Sequence, residues 1–423
     1  MPESAIADQP ASAPARVSSA TVWFMAASTG LIVANMYYIQ PLLADVARAF
    51  GLTVVKIGFV ATLAQIGTSV GMLLFVPLGD TKERRSLITI LLVIATLALT
   101  AIATSQNAPW LAVACFVLGM TGSSVHVFVP FAAHLAPPEQ RGHVVGSVFS
   151  GILLGILLAR TFSGSVGAHL GWRAVYGIAA AMMLCIAILV QFLLPHSQPD
   201  LKLSYIELLK STGHLIRRFP ALRESAFFGA LLFACFTAFW TTLVFFLETP
   251  PYHHGAEAAG LFGLVGAAGA AAAPIVGRIT DKRGPRVTIG ASLLSVMAAY
   301  VVMGIAGTTL AGLIVGVLLM DMGVQAGHVA NQARIYSLEP EARSRLNMFY
   351  MVSYFAGGAA GTFLGAYAWR LRGWTGVCGF CLAVMLIALV VFAATAGLRS
   401  GRLSRSAGPG RQTGKAGAKP IKS

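Results

Sequence analysis

The chain has 423 residues, of which 57% are apolar and only 11% charged, yet its formal net charge is +15 and its mean hydropathy +0.76. That balance excludes an ordinary soluble globular domain and points to an integral membrane protein. Strict apolar/polar alternation, the mark of a membrane barrel, is absent, so the spans are expected to be helical.

Twelve apolar segments follow one another near 20–43, 55–78, 86–105, 109–134, 143–167, 174–195, 224–247, 257–277, 287–306, 309–332, 346–369 and 375–397. Each approaches the ~20 residues that a spanning helix needs. The expected class is therefore an all-α membrane protein of twelve transmembrane helices in two six-helix bundles, 19–195 and 224–397. Residues 1–18, rich in Ala, Ser and Pro, read as a disordered cytoplasmic lead and not as a signal peptide.

The first segment carries Asn35, Tyr37, Tyr38 and Gln40 ahead of Pro41. Polar groups at membrane depth face protein or water, so this segment is expected to line a cavity, although Tyr38 and Gln40 read equally well as interface anchors. Between the second and third segments lies a charged hinge with Asp80, Lys82, Glu83, Arg84 and Arg85. The fourth segment holds His126. The fifth has Gly146, Gly151, Gly155, Gly164 and Gly167, spacings that let two helix backbones approach closely. Arg160, also on the fifth, is the only base within a predicted span; it needs a partner, either a substrate or gating role or a structural bond to backbone.

Residues 196–223 form a polar cytoplasmic linker with a short amphipathic helix expected around Tyr205 to Leu215. The seventh segment brings Phe236, Phe239 and Trp240, more often packing than a stacking platform for a ligand. The eighth is rich in Gly and Ala. On the tenth, Asp321, Gln325, His328 and Gln332 recur at i, i+4, i+7 and i+11 and so share one face. A lone carboxyl at that depth is costly to ionise, which makes Asp321 the candidate proton carrier, with a structural helix-to-helix bond as the alternative. The five cysteines all fall in predicted spans and read as small buried side chains; the Cys378/Cys381 spacing has no second pair, so no metal site and no cofactor are expected. The basic tail, 398–423, is expected to be disordered.

With Met1 on the cytoplasmic side, 24 of the 30 Lys and Arg fall in inner segments and five in outer ones. This places both termini in the cytoplasm, with the spans in the inner (plasma) membrane. It also makes the net charge a result of topology and not a nucleic-acid footprint. The inner hinge returns in the second half as Arg278, Asp281, Lys282, Arg283 and Arg286, with Asp281 lying 201 positions after Asp80. At an offset of 202, Arg141 is answered by Arg343, His126 by His328, Gly155 by Gly357, and Gly171-Trp172 by Gly373-Trp374. A duplicated six-helix unit is implied. Asp321, opposite Gly119, and Arg160, opposite Thr362, break that symmetry and so mark where substrate or ion chemistry is expected.

On these residues the chain resembles the major facilitator superfamily, and within it the twelve-helix proton-antiporter group that includes drug, sugar and nucleoside efflux proteins. The family's Gly-x-Leu-x-Asp-Arg-x-Gly-Arg-Arg loop is matched by Leu78, Asp80, Arg84 and Arg85, with Val76 and Glu83 where glycines are usual; the second copy keeps Gly277, Asp281 and Gly284. The antiporter pattern of the fifth helix is matched by Gly146, Gly155 and Gly164, but Ala159, Arg160 and Ser163 take other places, including that of its proline. The family's fourth-helix arginine falls at Cys115, so its role does not carry over.

No phosphate-binding Gly-x4-Gly-Lys-Ser/Thr loop occurs, which leaves an ion gradient as the energy source. The expected function is proton-coupled efflux of a small organic molecule such as a drug, sugar or nucleoside, by a monomer working through alternating access. Asn35, Tyr38, His126, Arg160, Trp240, Asp321, Gln325 and His328 are the expected substrate and proton site; Asp80, Arg84, Arg85, Arg141, Asp281, Arg286 and Arg343 the cytoplasmic gate. Uptake by symport and a non-transporting sensor on the same frame are the alternatives. An intramembrane enzyme using His126 and His328 would need a ligand cluster that accompanies neither histidine.

Overall fold

The computed structural model describes residues 18–137, 139–196, 205–270, 280 and 282–406, and all regular structure among them is helical. The order is α1 (Ser19–Ala34), α2 (Ile39–Ala49), α3 (Val54–Thr81), α4 (Arg84–Ala103), α5 (Ala108–Gly122), α6 (Val125–Leu135), α7 (Arg141–Leu170), α8 (Trp172–Leu193), α9 (Tyr205–Arg218), α10 (Pro220–Leu247), α11 (Ala256–Ala270), α12 (Pro285–Ala306), α13 (Leu310–Tyr336) and α14 (Arg343–Ser406). Asp281, the tail beyond 406 and most of the N-terminal lead lie outside the described residues, as does the side chain of Asp80.

Helix is the form that satisfies every backbone group within its own segment, which hydrocarbon demands. The ends are fixed by side chains that take over the first free N–H groups. Thr53 accepts from Lys56, Glu83 from Arg85 and Ser86, Asn107 from Trp110, and Thr309 from Gly312. Pro220 and Pro285 open α10 and α12, where a missing N–H costs nothing.

Among the described residues, ten helical stretches are long and apolar enough to cross a membrane. One of them, Pro340–Thr395, is two helices in α14 joined at Arg372 and Gly373, whose backbone angles leave the helical region. The shorter apolar α11 runs up to residues outside the described set. These account for the twelve spans expected. Two of the expected spans are broken: α1 gives way to α2 through a turn at residues 35–38, and α5 to α6 through residues 123–124. In the second break Thr121 and Ser123 hydroxyls donate to carbonyls three residues back, at 2.7 Å each, the local competition that loosens a helix. The counterparts in the second half, α10 and α13, are continuous.

The helix pairing repeats between halves. In the first, α1 packs on α7, α3 on α5 and α4 on α8; in the second, α10 packs on α14, α11 on α13 and α12 on α14. Across the halves α7 meets α11, and α3 meets α14, which is the same pairing seen from either side of a pseudo-twofold axis. Small residues set the close seams. A Cβ added to Gly155 of α7 would sit 2.1 Å from the Gly30 carbonyl of α1, and one on Gly357 of α14 would sit 2.2 Å from the Ala230 carbonyl of α10. Gly171 and Gly373 adopt φ of +83° and +56°, each just ahead of a Trp, so this repeated dipeptide turns the chain into the last span of its half.

Candidate functional site

Arg160 projects from α7 into a box of aromatic rings contributed by the turn after α1 and by α10. Its guanidinium carbon lies 3.9 Å from the ring centre of Trp240, 4.8 Å from Tyr37 and 5.4 Å from Phe236. Its Nε donates to Gln40 Oε1 at 2.7 Å. The residue is only 2% exposed. Nη1 donates a longer bond to the Ile156 carbonyl at 3.5 Å, so the arginine gains cation–π attraction and two charge-assisted hydrogen bonds in place of water. Gln40, equally readable from the sequence as an interface anchor, is therefore what holds this cation.

On the facing helix α13, Asp321 is 4% exposed. The glycines of α11 let the backbone run beside both charged groups. A Cβ on Gly263 would fall 2.9 Å from Arg160 Cβ; one on Gly266 would fall 3.0 Å from Asp321 Oδ2 and 3.1 Å from Trp240 Cζ2; one on Gly269 would fall 3.1 Å from Asp321 Cβ. Arg160 and Asp321 come from opposite halves and flank one indole. The described ion pairs do not include one between them. Arg160 Nη2, Trp240 Nε1 and Asp321 Oδ2 are all buried without a hydrogen-bond partner. A buried polar atom in that condition costs free energy unless something meets it.

From Trp240 an aromatic ladder runs along the second half. Phe236 lies 6.2 Å from Trp240, Phe233 stacks on Phe236 at 5.5 Å and on Tyr354 at 4.0 Å, and His328 lies 4.8 Å from Tyr354. His328 Nδ1 is 3.1 Å from the Tyr350 hydroxyl, and Gln332 donates to Asn347 Oδ1 at 3.3 Å. The polar stripe of α13 is thus one face, with half-buried Gln325 between Asp321 and His328. Three of the expected residues stand elsewhere. Tyr38 is buried against Phe162, 5.6 Å between rings. Asn35 faces a small cavity inside the first half with Cys115 and Tyr176, and its Oδ1 lacks a hydrogen-bond partner. His126 lines a cleft between the halves with Arg84 and Ser344.

The end of the molecule at which α1 begins holds the charged hinges. There Arg85 donates to Gln191 Oε1 and to the Leu194 carbonyl, Arg141 to the Ala136 carbonyl, and Arg343 to the Tyr336 carbonyl, all within their own half. Arg84 donates to the Gly79 carbonyl. Arg286 reaches Glu224 at 3.2 Å and Thr395 at 2.9 Å, while Arg334 reaches the other Glu224 oxygen at 2.5 Å. This four-residue cluster of Glu224, Arg286, Arg334 and Thr395 is not foreseen in the sequence reading. The expected tenth span ends at 332, whereas α13 continues to Tyr336 and takes Arg334 in, so Arg160 is not the only base buried in a long apolar helix. At the opposite, distal end the halves touch: Arg48 Nη1 donates to both oxygens of Glu248 at 2.7 and 2.8 Å, and Thr161 donates to the Gly260 carbonyl at 3.1 Å.

Residues 25–335 match the sequence profile of the Major Facilitator Superfamily. The chain belongs to that family. Its relatives include the transporter YgaY of Escherichia coli (strain K12), 40% identical over 376 residues covering 89% of this chain and 95% of YgaY. A transporter-named protein of Streptomyces coelicolor (strain ATCC BAA-471 / A3(2) / M145) is 31% identical, covering 86% of this chain and 84% of that one. Among solved structures, an inward-facing bacterial homologue of the human lysosomal transporter Spinster superposes with a TM-score of 0.72 at 16% identity, covering 89% of this chain and 95% of that one. The nucleoside transporter NupG does so with a TM-score of 0.73 at 12% identity, covering 88% of this chain and 99% of NupG. As a member of the Major Facilitator Superfamily the protein is a multi-pass membrane transporter of small molecules and not an enzyme.

Proposed function

We propose that the protein is a proton-coupled exporter of a small organic molecule in the bacterial inner membrane, acting as a monomer with both termini in the cytoplasm. One observation carries the reading: Arg160 and Asp321 come from opposite halves and flank one buried indole, each with a polar atom left unmatched. Two halves that rock about such a site expose it first to one side and then to the other. Asp321 gives up its proton to let substrate in and takes one to release it. The distal end, closed by Arg48 and Glu248, would be the outer one. The hinge bases Arg84, Arg85, Arg141, Arg286 and Arg343, with Asp80 and Asp281, would rearrange at the inner end as the bundles swing.

The test uses purified protein in liposomes carrying a pH-sensitive dye and an imposed pH gradient, challenged with a panel of antibiotics, nucleosides and sugars. A substrate should dissipate the gradient in the unaltered protein and fail to do so, by at least tenfold in rate, in Asp321→Asn. Substrate movement indifferent to the pH gradient would remove proton coupling; protons moving with the substrate, not against it, would make the protein a symporter.

A further inference from the structure

We infer that the site between Arg160 and Asp321 takes a zwitterion of amino-acid size with an aromatic body, whose acidic group meets Arg160 and whose ammonium meets Asp321. The inference rests on the exporter reading above and deepens it. Three buried atoms define the recognition: Arg160 Nη2 and Trp240 Nε1 have hydrogens to donate, and Asp321 Oδ2 has lone pairs to accept with. An acidic oxygen pair suits the two donors, and an ammonium suits the carboxylate. Arg160 lies over the Trp240 ring at 3.9 Å, and a single α11 glycine, Gly266, sits beside both Trp240 Cζ2 and Asp321 Oδ2. The charges of the ligand must therefore be close together, as they are in an amino acid. Tyr37, Phe236 and Trp240 wall the space around Arg160, so the body of the ligand meets aromatic surface.

Charge selects against the simpler classes. A plain organic cation would meet Asp321 but sit beside the Arg160 guanidinium, and like charges in a dry site repel strongly. A plain organic anion would meet Arg160 but face Asp321 unless a proton came with it, which is symport. A zwitterion satisfies both groups and competes with the proton for one carboxylate. Asp321 then holds either H⁺ or the ammonium, and exchange is one for one with no other co-reactant.

The experiment compares three molecules with one body, L-phenylalanine, phenethylamine and 3-phenylpropionate, binding to the full-length protein in nanodiscs, read by tryptophan fluorescence and thermal shift. Phenylalanine is expected to bind at least tenfold more tightly than either singly charged analogue. In Asp321→Asn it should fall to the level of 3-phenylpropionate, and in Arg160→Gln to that of phenethylamine. Trp240→Phe, which keeps the stack and removes one donor, should weaken it about threefold. An analogue with a single charge that binds as well as phenylalanine, or failure of all three to bind, overturns the assignment. The two readings fail separately: phenylalanine that binds but does not answer a pH gradient in liposomes sinks the coupling and leaves the substrate class, while pH-driven flux of other compounds without phenylalanine binding does the reverse.

Discussion

Gln40 shows how much of the site depends on one neutral side chain. Its carbonyl oxygen is the acceptor for Arg160 Nε, and both residues are at most 5% exposed. Replacing it with Leu leaves a buried guanidinium one bond poorer, at a cost of about 1.5–3 kcal/mol. Gln40→Leu should therefore lower the melting temperature of the purified protein by several degrees, while Gln40→Glu, which supplies a carboxylate, should restore or raise it; equal melting temperatures for all three would show that the bond carries no weight. The sequence marks Arg160 and Asp321 by rarity, since ionisable groups in apolar helices stand out. It does not mark Gln40 in the same way, because a polar residue near a predicted helix end fits an interface anchor equally well. The Glu224 cluster is hidden for a similar reason: its partners Arg286 and Arg334 look like inner-loop bases until α13 is seen to run on to Tyr336.

At the scale of the helix, glycine is informative only where another backbone arrives. The sequence gives the fifth span a run of glycines without saying which face touches a neighbour. In the structure Gly151 and Gly155 meet α1 backbone, Gly164 meets α11, and Gly146 has nothing within 4 Å of an added Cβ. Gly155→Leu should abolish folded, monodisperse protein on size exclusion, since the new side chain would need the α1–α7 seam to open. Gly146→Ala should be neutral within about 0.5 kcal/mol or slightly stabilising through helix propensity; a large loss of stability there would require a contact that the fold does not contain. Helix breaks are harder to foresee. The turn at residues 35–38 and the one at 123–124 lie inside single expected spans, 20–43 and 109–134, and hydropathy averaged over a span cannot separate a continuous helix from an interrupted one. The Gly-Trp pair is the opposite case: its repetition 202 residues apart is visible in sequence, and both copies prove to be positive-φ turns.

For the whole molecule, duplication was readable from matching residues at a fixed offset, and the helix pairings repeat accordingly across the two halves. Which end is closed was not readable, because closure depends on contacts between residues about half a chain apart that carry no local pattern. Arg48 and Glu248 make such a contact, joining α2 to the residue after α10 beside Asp45. With side chains 59% and 26% exposed, the pair contributes at most about 1 kcal/mol after solvent screening. A contribution of that size changes the ratio of distal-closed to distal-open molecules by about fivefold, enough to shift a transport cycle without endangering the fold. Glu248→Gln should therefore leave the melting temperature nearly unchanged while lengthening the mean distance between spin labels placed at the distal ends of the two halves. The exchanged pair Arg48→Glu with Glu248→Arg should bring the distance back. The shift should fade in 0.5 M salt, where charges this exposed are screened; a distance distribution unmoved by Glu248→Gln at low salt would mean that the α7–α11 and α3–α14 seams alone hold the distal end shut.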